Sequence, residues 1–325
     1  LNTNRENKMK VAKTLIAATA LGLAGPALAF EVESTDPIKV MIADWPSMQV
    51  HAEILNIILS TAGYNVEKVI ADDSARYPGF EVGDLHIALE TWQTTQEAAF
   101  TASVATGKVL DMGELGPAAK EDWWYPVYMK EQCPGLPAWE ALRNCAEVFS
   151  TPDTAPKGRY LSGPVAWGGW DAERIEALGL PFTSVNAGTD ASMFAELKSA
   201  YERKAPILLW IYEPHWAPAV FEGEYVEFPK YEAACYSDPA WGVNPNALYD
   251  CGKPEGWIKK MAWAEGEGKW PCAYEIVRNF TMDGKDVGNL VYKVDVDGMR
   301  VEDVAMEWAT ANEATWRGWA ACALN

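Results

Sequence analysis

Positive charge and histidine are scarce in this chain. Of 325 residues, 27 are Lys or Arg against 46 Asp or Glu, and only three are His. The basic footprint that neutralises phosphates is missing, which excludes nucleic acid and anionic membrane surfaces as partners. No two cysteines stand at C-x-x-C spacing, and His51, His86 and His215 are scattered, so no zinc site is expected and no residue is named as a metal ligand, a calcium on the acidic surface staying open. P-loop, G-x-S-x-G, H-E-x-x-H and dinucleotide fingerprints are all lacking, and no cofactor is called for. The run Asp295-Val296-Asp297-Gly298 has the look of a calcium loop, but Lys293 and Val304 occupy its first and twelfth ligand positions, which excludes an EF-hand. Internal repeats and low-complexity runs are absent too. Beyond the first 29 residues no run approaches 18 uninterrupted apolar residues, so no transmembrane helix is expected.

What is present begins with a signal. Arg5, Lys8, Lys10 and Lys13 form a basic region, Thr14 to Ala24 is apolar but too short to span a bilayer, and Ala27-Leu28-Ala29 is a small-residue cleavage site. Residues 1–29 read as a cleavable secretory signal peptide. No Cys lies at the cleavage site, so a soluble protein of a Gram-negative periplasm is expected, with no lipid anchor. Without that segment the balance is 23 basic against 45 acidic residues, which makes the remainder more acidic still. The six cysteines all lie after it, an even number in an oxidising compartment, and read as three disulfides. Six cysteines allow fifteen pairings; pairing local in sequence favours Cys133 with Cys145, Cys235 with Cys251, and Cys272 with Cys322.

From Ile38 short apolar runs alternate with amphipathic segments, the signature of an α/β fold. Strands are expected over Ile38–Ala43, Asn65–Ala71, Leu85–Trp92, Trp123–Met129, Arg159–Ser162 and Pro206–Tyr212. Helices are expected over Ser47–Ala62, Thr94–Thr106, Trp139–Val148, Asp171–Leu178, Asp190–Arg203, Ala273–Asn279 and Val301–Ala321. The early β-α-β-α order implies parallel strands. Residues 126–212 read as a second α/β unit inserted within the chain.

Tryptophan is the compositional outlier, with 16 residues. The segments that carry several of them, Ala43 to Val69 (ADWPSMQVHAEILNIILSTAGYNVEKV), Val82 to Trp92 (VGDLHIALETW), Pro164 to Ile175 (PVAWGGWDAERI) and Thr189 to Trp216 (TDASMFAELKSAYERKAPILLWIYEPHW), resemble in order the substrate-binding proteins of ABC importers for glycine betaine, choline, trimethylamine N-oxide and related solutes. The tail run Met306 to Trp319 (MEWATANEATWRGW) is compatible with that family's closing helices. The resemblance implies a two-lobed periplasmic-binding-protein fold of type II-like topology, with a hinge of crossing strands that closes on a ligand. Lobe 1 is then residues 30–125 plus 213–325, and lobe 2 is residues 126–212. It further implies a monomer that is no enzyme and that hands a small methylated amine to an inner-membrane ABC permease. Two departures stand out: Tyr212 occupies a position where many members carry Trp, and Tyr231–Lys269 looks like an extension to which the sequence gives no role.

A trimethylammonium head is a weakly hydrated cation without N–H groups, so aromatic faces grip it where hydrogen bonds cannot, each contributing roughly 0.5–2 kcal/mol. Trp45 and Trp92 sit just past the ends of expected parallel strands, where open α/β sheets bind ligands. Tyr212 ends a strand of the other unit. With Trp167, and with Trp123 as a fifth candidate, they make the expected cage, while Trp257, Trp263 and Trp308 read as packing. His215, or backbone N–H groups, would serve a ligand carboxylate. Glu90, on the same strand face as Trp92, and Glu131 after the crossing strand are candidate acids, and Glu213 adjoins Tyr212. The plainer reading of all three is solvated charge. Acids beside a cage repel betaine's carboxylate and suit choline's hydroxyl or, if protonated, an N-oxide oxygen, which favours those two ligands. The competing class is a secreted glycan-binding or glycan-active protein, since Trp platforms and paired carboxylates also suit sugars, but no carboxylate pair at the required separation is fixed by the sequence.

Overall fold

The computed structural model describes residues 30–324, so the signal segment expected over residues 1–29 lies outside the described residues. The first strand, β1 (Ile38–Ile42), pairs in parallel with β2 (Val66–Ile70) and with β3 (Ile87–Trp92). Helix α1 (Pro46–Thr61) connects β1 to β2. Pro46 stands in its first turn, where the missing N–H costs nothing, and its inner face buries Val50, Ile54, Leu55 and Ile58. Helix α2 (Asp73–Val82) is capped by the Asp72 carboxylate and leads to β3, all six of whose residues are buried, as befits a strand covered on both faces. Helix α3 (Gln93–Ala105) follows directly on Trp92.

Strand β4 (Val109–Pro126) is the long member of the sheet. Its first half pairs antiparallel with β9 (Gly256–Trp263), and its second half, from Lys120, pairs with β7 (Leu209–Glu213) and β8 (Gly223–Tyr225). Parallel strands β5 (Gly158–Ser162) and β6 (Phe182–Asn186) complete the order β2-β1-β3-β9-β4-β7-β5-β6, with β8 off that path. One strand is thus common to two half-sheets, each of which carries parallel β-α-β units on its outer side.

The sequence did not disclose β9. It falls within Tyr231–Lys269, which reads as an extension, yet it lies in the sheet between β3 and β4; its Lys260 is buried, and the ammonium donates to the carbonyls of Arg278 at 2.8 Å and Phe280 at 2.5 Å. Those acceptors compensate a charge that would otherwise exclude the strand from the sheet centre. The helix expected over Trp139–Val148 is instead two 3-10 turns flanking the short helix α5 (Leu142–Cys145), beyond α4 (Met129–Gln132). The expected Val301–Ala321 helix breaks at Asn312, whose amide bonds back to the Trp308 carbonyl. Helices α6 (Asp171–Ala177) and α7 (Asp190–Arg203) form where expected, the latter with a capping box at Thr189. The cysteines pair as Cys133–Cys145, Cys235–Cys251 and Cys272–Cys322.

Candidate functional site

The C-terminal ends of β1, β3 and β7 converge with the loop after β5 on one cavity, walled by Trp45, Trp92, Trp167 and Tyr212. Asp73, Arg76, Thr95, Gln96 and Glu121 complete its lining, and its free volume is about 30 Å³, well below that of an open ligand site. The rings stand at right angles to one another. Trp45 meets Trp167 at 6.0 Å and 84°, Trp92 meets Tyr212 at 5.6 Å and 87°, and Trp167 meets Tyr212 at 5.8 Å and 86°. These edge-to-face contacts gather four aromatic rings round one small space, and aromatic faces are groups that attract compact cations.

Each wall is fixed from behind. Glu90 is buried beneath the cavity, where its Oε2 accepts from the Trp45 indole at 2.6 Å, the Trp92 indole at 3.0 Å and the Ser47 hydroxyl at 3.1 Å. Its Oε1 faces His51 Nδ1 at 2.7 Å, and since a carboxylate only accepts, the ring proton lies on Nδ1. Burial alone would raise the Glu90 pKa, but the bonds from His51, Trp45 and Trp92 outweigh it and hold the carboxyl below the usual range, as an anion. Trp167 is tied across the cavity mouth, its indole donating to Asp44 at 2.9 Å. The Tyr212 hydroxyl donates to buried Asp190 at 2.7 Å. Arg76 is buried between the Trp45 ring and Asp73, with which it pairs at 2.6 Å, and it donates to the Glu90 carbonyl.

Glu121 was not among the expected site residues. It lies in the charged run Lys120-Glu121-Asp122. The antiparallel register sets it directly opposite Tyr212, so both side chains leave the sheet on one face, toward the cavity. Its Oε2 is buried without a hydrogen-bond partner. Burial, only partly countered by Lys253 and the Thr94 hydroxyl and reinforced by Asp171 and Asp73, pushes its carboxyl from 4.5 up to about 7. The cavity therefore offers a carboxyl that is an acid or a carboxylate according to small changes near neutral pH.

Three expected residues stand elsewhere. Trp123 is fully buried past the cavity, stacked on Tyr160 at 4.0 Å with its indole bonded to Asp171 at 2.8 Å, because the strand carries it on into the second half-sheet. Glu131 is exposed on α4. His215 is buried behind Tyr212, stacked on Phe194 at 4.0 Å. With Asp190 and Asp295 it forms the one group of metal-ligand types found among the described residues. Its Nδ1 accepts from the Ala217 N–H at 3.2 Å, which leaves the ring proton on Nε2, the atom 3.6 Å from Asp295. A ligating imidazole has the opposite arrangement, with the proton on the nitrogen turned away from the metal, so this ring is not set as a metal ligand, and its Nε2 is buried without a hydrogen-bond partner.

A two-half α/β sheet with aromatic residues gathered at its strand ends has the architecture of periplasmic-type substrate-binding proteins. Residues 36–311 match the family described as the substrate-binding domain of ABC-type glycine betaine transport systems, and the chain belongs to it. It is 31% identical over 319 residues to the trimethylamine N-oxide-binding protein of Pelagibacter ubique (strain HTCC1062), covering 95% of this chain and 98% of that one. Among solved structures it is similar to a glycine betaine/L-proline-binding protein from Borrelia burgdorferi, with a TM-score of 0.70 at 17% identity over 87% of this chain and 96% of that one. An ABC-transporter choline-binding protein in complex with choline gives a TM-score of 0.69 at 17% identity, covering 89% and 93%. The structural likenesses establish the periplasmic-binding-protein fold. The chain is accordingly the substrate-binding component of an ABC transporter of the betaine, choline and trimethylamine N-oxide type.

Proposed function

We propose that this protein captures trimethylamine N-oxide, with choline second and glycine betaine third, in the box of Trp45, Trp92, Trp167 and Tyr212, and delivers it in the periplasm to an inner-membrane ABC permease. The observation that carries the choice is Glu121. An acid that keeps its proton to about pH 7 donates to an N-oxide oxygen. As a carboxylate it repels betaine's. The ligand named for the Pelagibacter ubique relative agrees with this order. Four rings at roughly 0.5–2 kcal/mol each, with one charge-assisted hydrogen bond, supply much of the ~8 kcal/mol that a micromolar site needs.

We further propose that the cavity forms by closure of two lobes hinged on β4 and β9. The Asp44 to Trp167 bond and the Trp45–Trp167 and Trp92–Tyr212 contacts, which join the half-sheets across the cavity, support a closed form. The pairing of β8 with the second half of β4 supports a lobe 2 that extends over about 120–255, larger than the 126–212 expected from sequence.

Calorimetric titration with the three amines tests the reading. Trimethylamine N-oxide should bind at about micromolar Kd, and Trp92→Ala should weaken it at least tenfold, equivalent to ~1.4 kcal/mol. Trp257→Phe, at a ring packed on Phe100 outside the cavity, serves as the control. Binding of glycine betaine alone, or of none of the three, refutes it.

A further inference from the structure

The cavity and the groove outside it share Trp45, Asp73 and Trp167. The groove has about 940 Å³ of free volume against about 30 Å³ inside, so the two rings stand between an enclosed space and an open one. A space as small as the inner one holds little more than water, and an amine crosses the wall only when a ring leaves it.

Three of the four rings are held from within. The Trp45 and Trp92 indoles share the buried Glu90 carboxylate, at 2.6 and 3.0 Å, and Tyr212 lies within β7 with its hydroxyl on buried Asp190 at 2.7 Å. Bonds to buried acids have no water to replace them when they break. Trp167 is held differently. It ends the short turn Val165–Trp167 after β5, and its indole N–H donates at 2.9 Å to Asp44, an exposed residue of the loop after β1 that lines the groove and not the cavity.

Glycines bound that turn on both sides. At Gly163, whose carbonyl accepts from the Asn186 amide at 2.8 Å, a Cβ would come within 2.6 Å of the Trp167 ring, so the ring lies against bare backbone. Gly168 follows the ring at φ +77°, with open space where a Cβ would stand. Backbone freedom at both ends lets the turn move at low cost. Asp44 and Trp167 are 123 residues apart and follow β1 and β5, strands of different half-sheets. Whether the half-sheets part or the turn swings alone, their bond breaks when the wall opens.

We propose that Asp44 is a positioning residue of the amine site: by accepting the Trp167 indole N–H it latches the movable wall over the bound amine and sets how fast the amine is released. The inference rests on the box being the amine site. A contact made only with the wall shut stabilises that form over the open one, and escape of the ligand slows accordingly.

The test is release of trimethylamine N-oxide and of choline, followed by intrinsic fluorescence in stopped flow. The proteins are wild type, Asp44→Ala, Asp44→Asn, Trp167→Phe and the double variant Asp44→Ala/Trp167→Phe. Asp44 is exposed, so its variants keep the fold. Loss of a hydrogen bond to a charged acceptor should raise koff about tenfold in Asp44→Ala. Asn keeps an acceptor oxygen and should bring release back to within about threefold of wild type. Phe keeps the ring without the N–H, so in the Trp167→Phe background Asp44→Ala should change koff by less than about twofold. A change of field or packing at the mouth would act in both backgrounds alike. A koff for Asp44→Ala within about twofold of wild type, an Asn variant as fast as Ala, or an equal rise with and without the Trp167 N–H overturns the latch while the amine site stands. A wild type that binds neither amine overturns both.

Discussion

Substituting Glu90 by Gln separates field from scaffold beneath the cage. The carboxylate is the common acceptor for the two indoles, Ser47 and His51, and it is fully buried. Gln keeps the shape. With its carbonyl toward the indoles, its NH2 faces His51 Nδ1, and the imidazole accommodates this by moving its proton to Nε2, now buried without a partner. Three bonds to Oε2 each lose charge assistance, about 1 kcal/mol apiece, offset in part because a buried amide needs less desolvation than an ion. Stability should therefore fall by about 1–3 kcal/mol in urea unfolding. The effect on binding is different in kind. A carboxylate bonded at the indole edges, if taken as ~7 Å from a caged cation, attracts it with roughly 2 kcal/mol at an effective dielectric of about 20, about thirtyfold in Kd. Choline should lose about that factor, trimethylamine N-oxide less because its oxygen carries the opposite charge, and the uncharged tert-butyl analogue of choline none. Calorimetry on the three ligands decides. If the uncharged analogue weakens as much as choline, Glu90 acts only by holding the indoles, and the electrostatic reasoning is refuted.

Glu121 makes a signed prediction for stability against pH. Its folded pKa is raised from 4.5 to about 7, so in that window the native state holds a proton the unfolded chain has lost. Stability should fall as pH rises from about 4.5 to 7, by up to about 3 kcal/mol, relative to Glu121→Gln, whose profile lacks that decline; parallel profiles would refute it. Arg174→Met leaves Asp122 buried without its cation, and thermal unfolding should show a loss of about 3–5 kcal/mol; a loss below about 1 kcal/mol would mean the pair is solvated. Among the disulfides, replacing Cys272 and Cys322 by Ser should lower Tm most, since that bridge closes a separation of 50 residues against 12 and 16 for the others, about 4 kcal/mol against about 3 on the chain-entropy estimate. Equal or inverted losses would show strain or residual structure to dominate.

The sequence by itself determined a good deal of this protein. Apolar periodicity located β1, α1 and the run ending at Tyr212, and strand ends followed by Trp45 and Trp92 pointed to the cavity, because local propensity and burial patterns are written residue by residue. Loop-local cysteine pairing was legible for the same reason. Tertiary structure alone decided which acids are buried at the cavity and which rings line it. Glu90 could be placed on the face of Trp92, but its four donors come from the loop after β1, from α1 and from β3 together. Trp123 and Glu121 lie two residues apart on β4, yet the plausible aromatic packs into the second half-sheet while the plain-looking acid meets the cavity. Charge and burial of a side chain depend on partners distant in the chain, Tyr212 across the strand pair and Lys253 just before β9, and no local pattern encodes those distances.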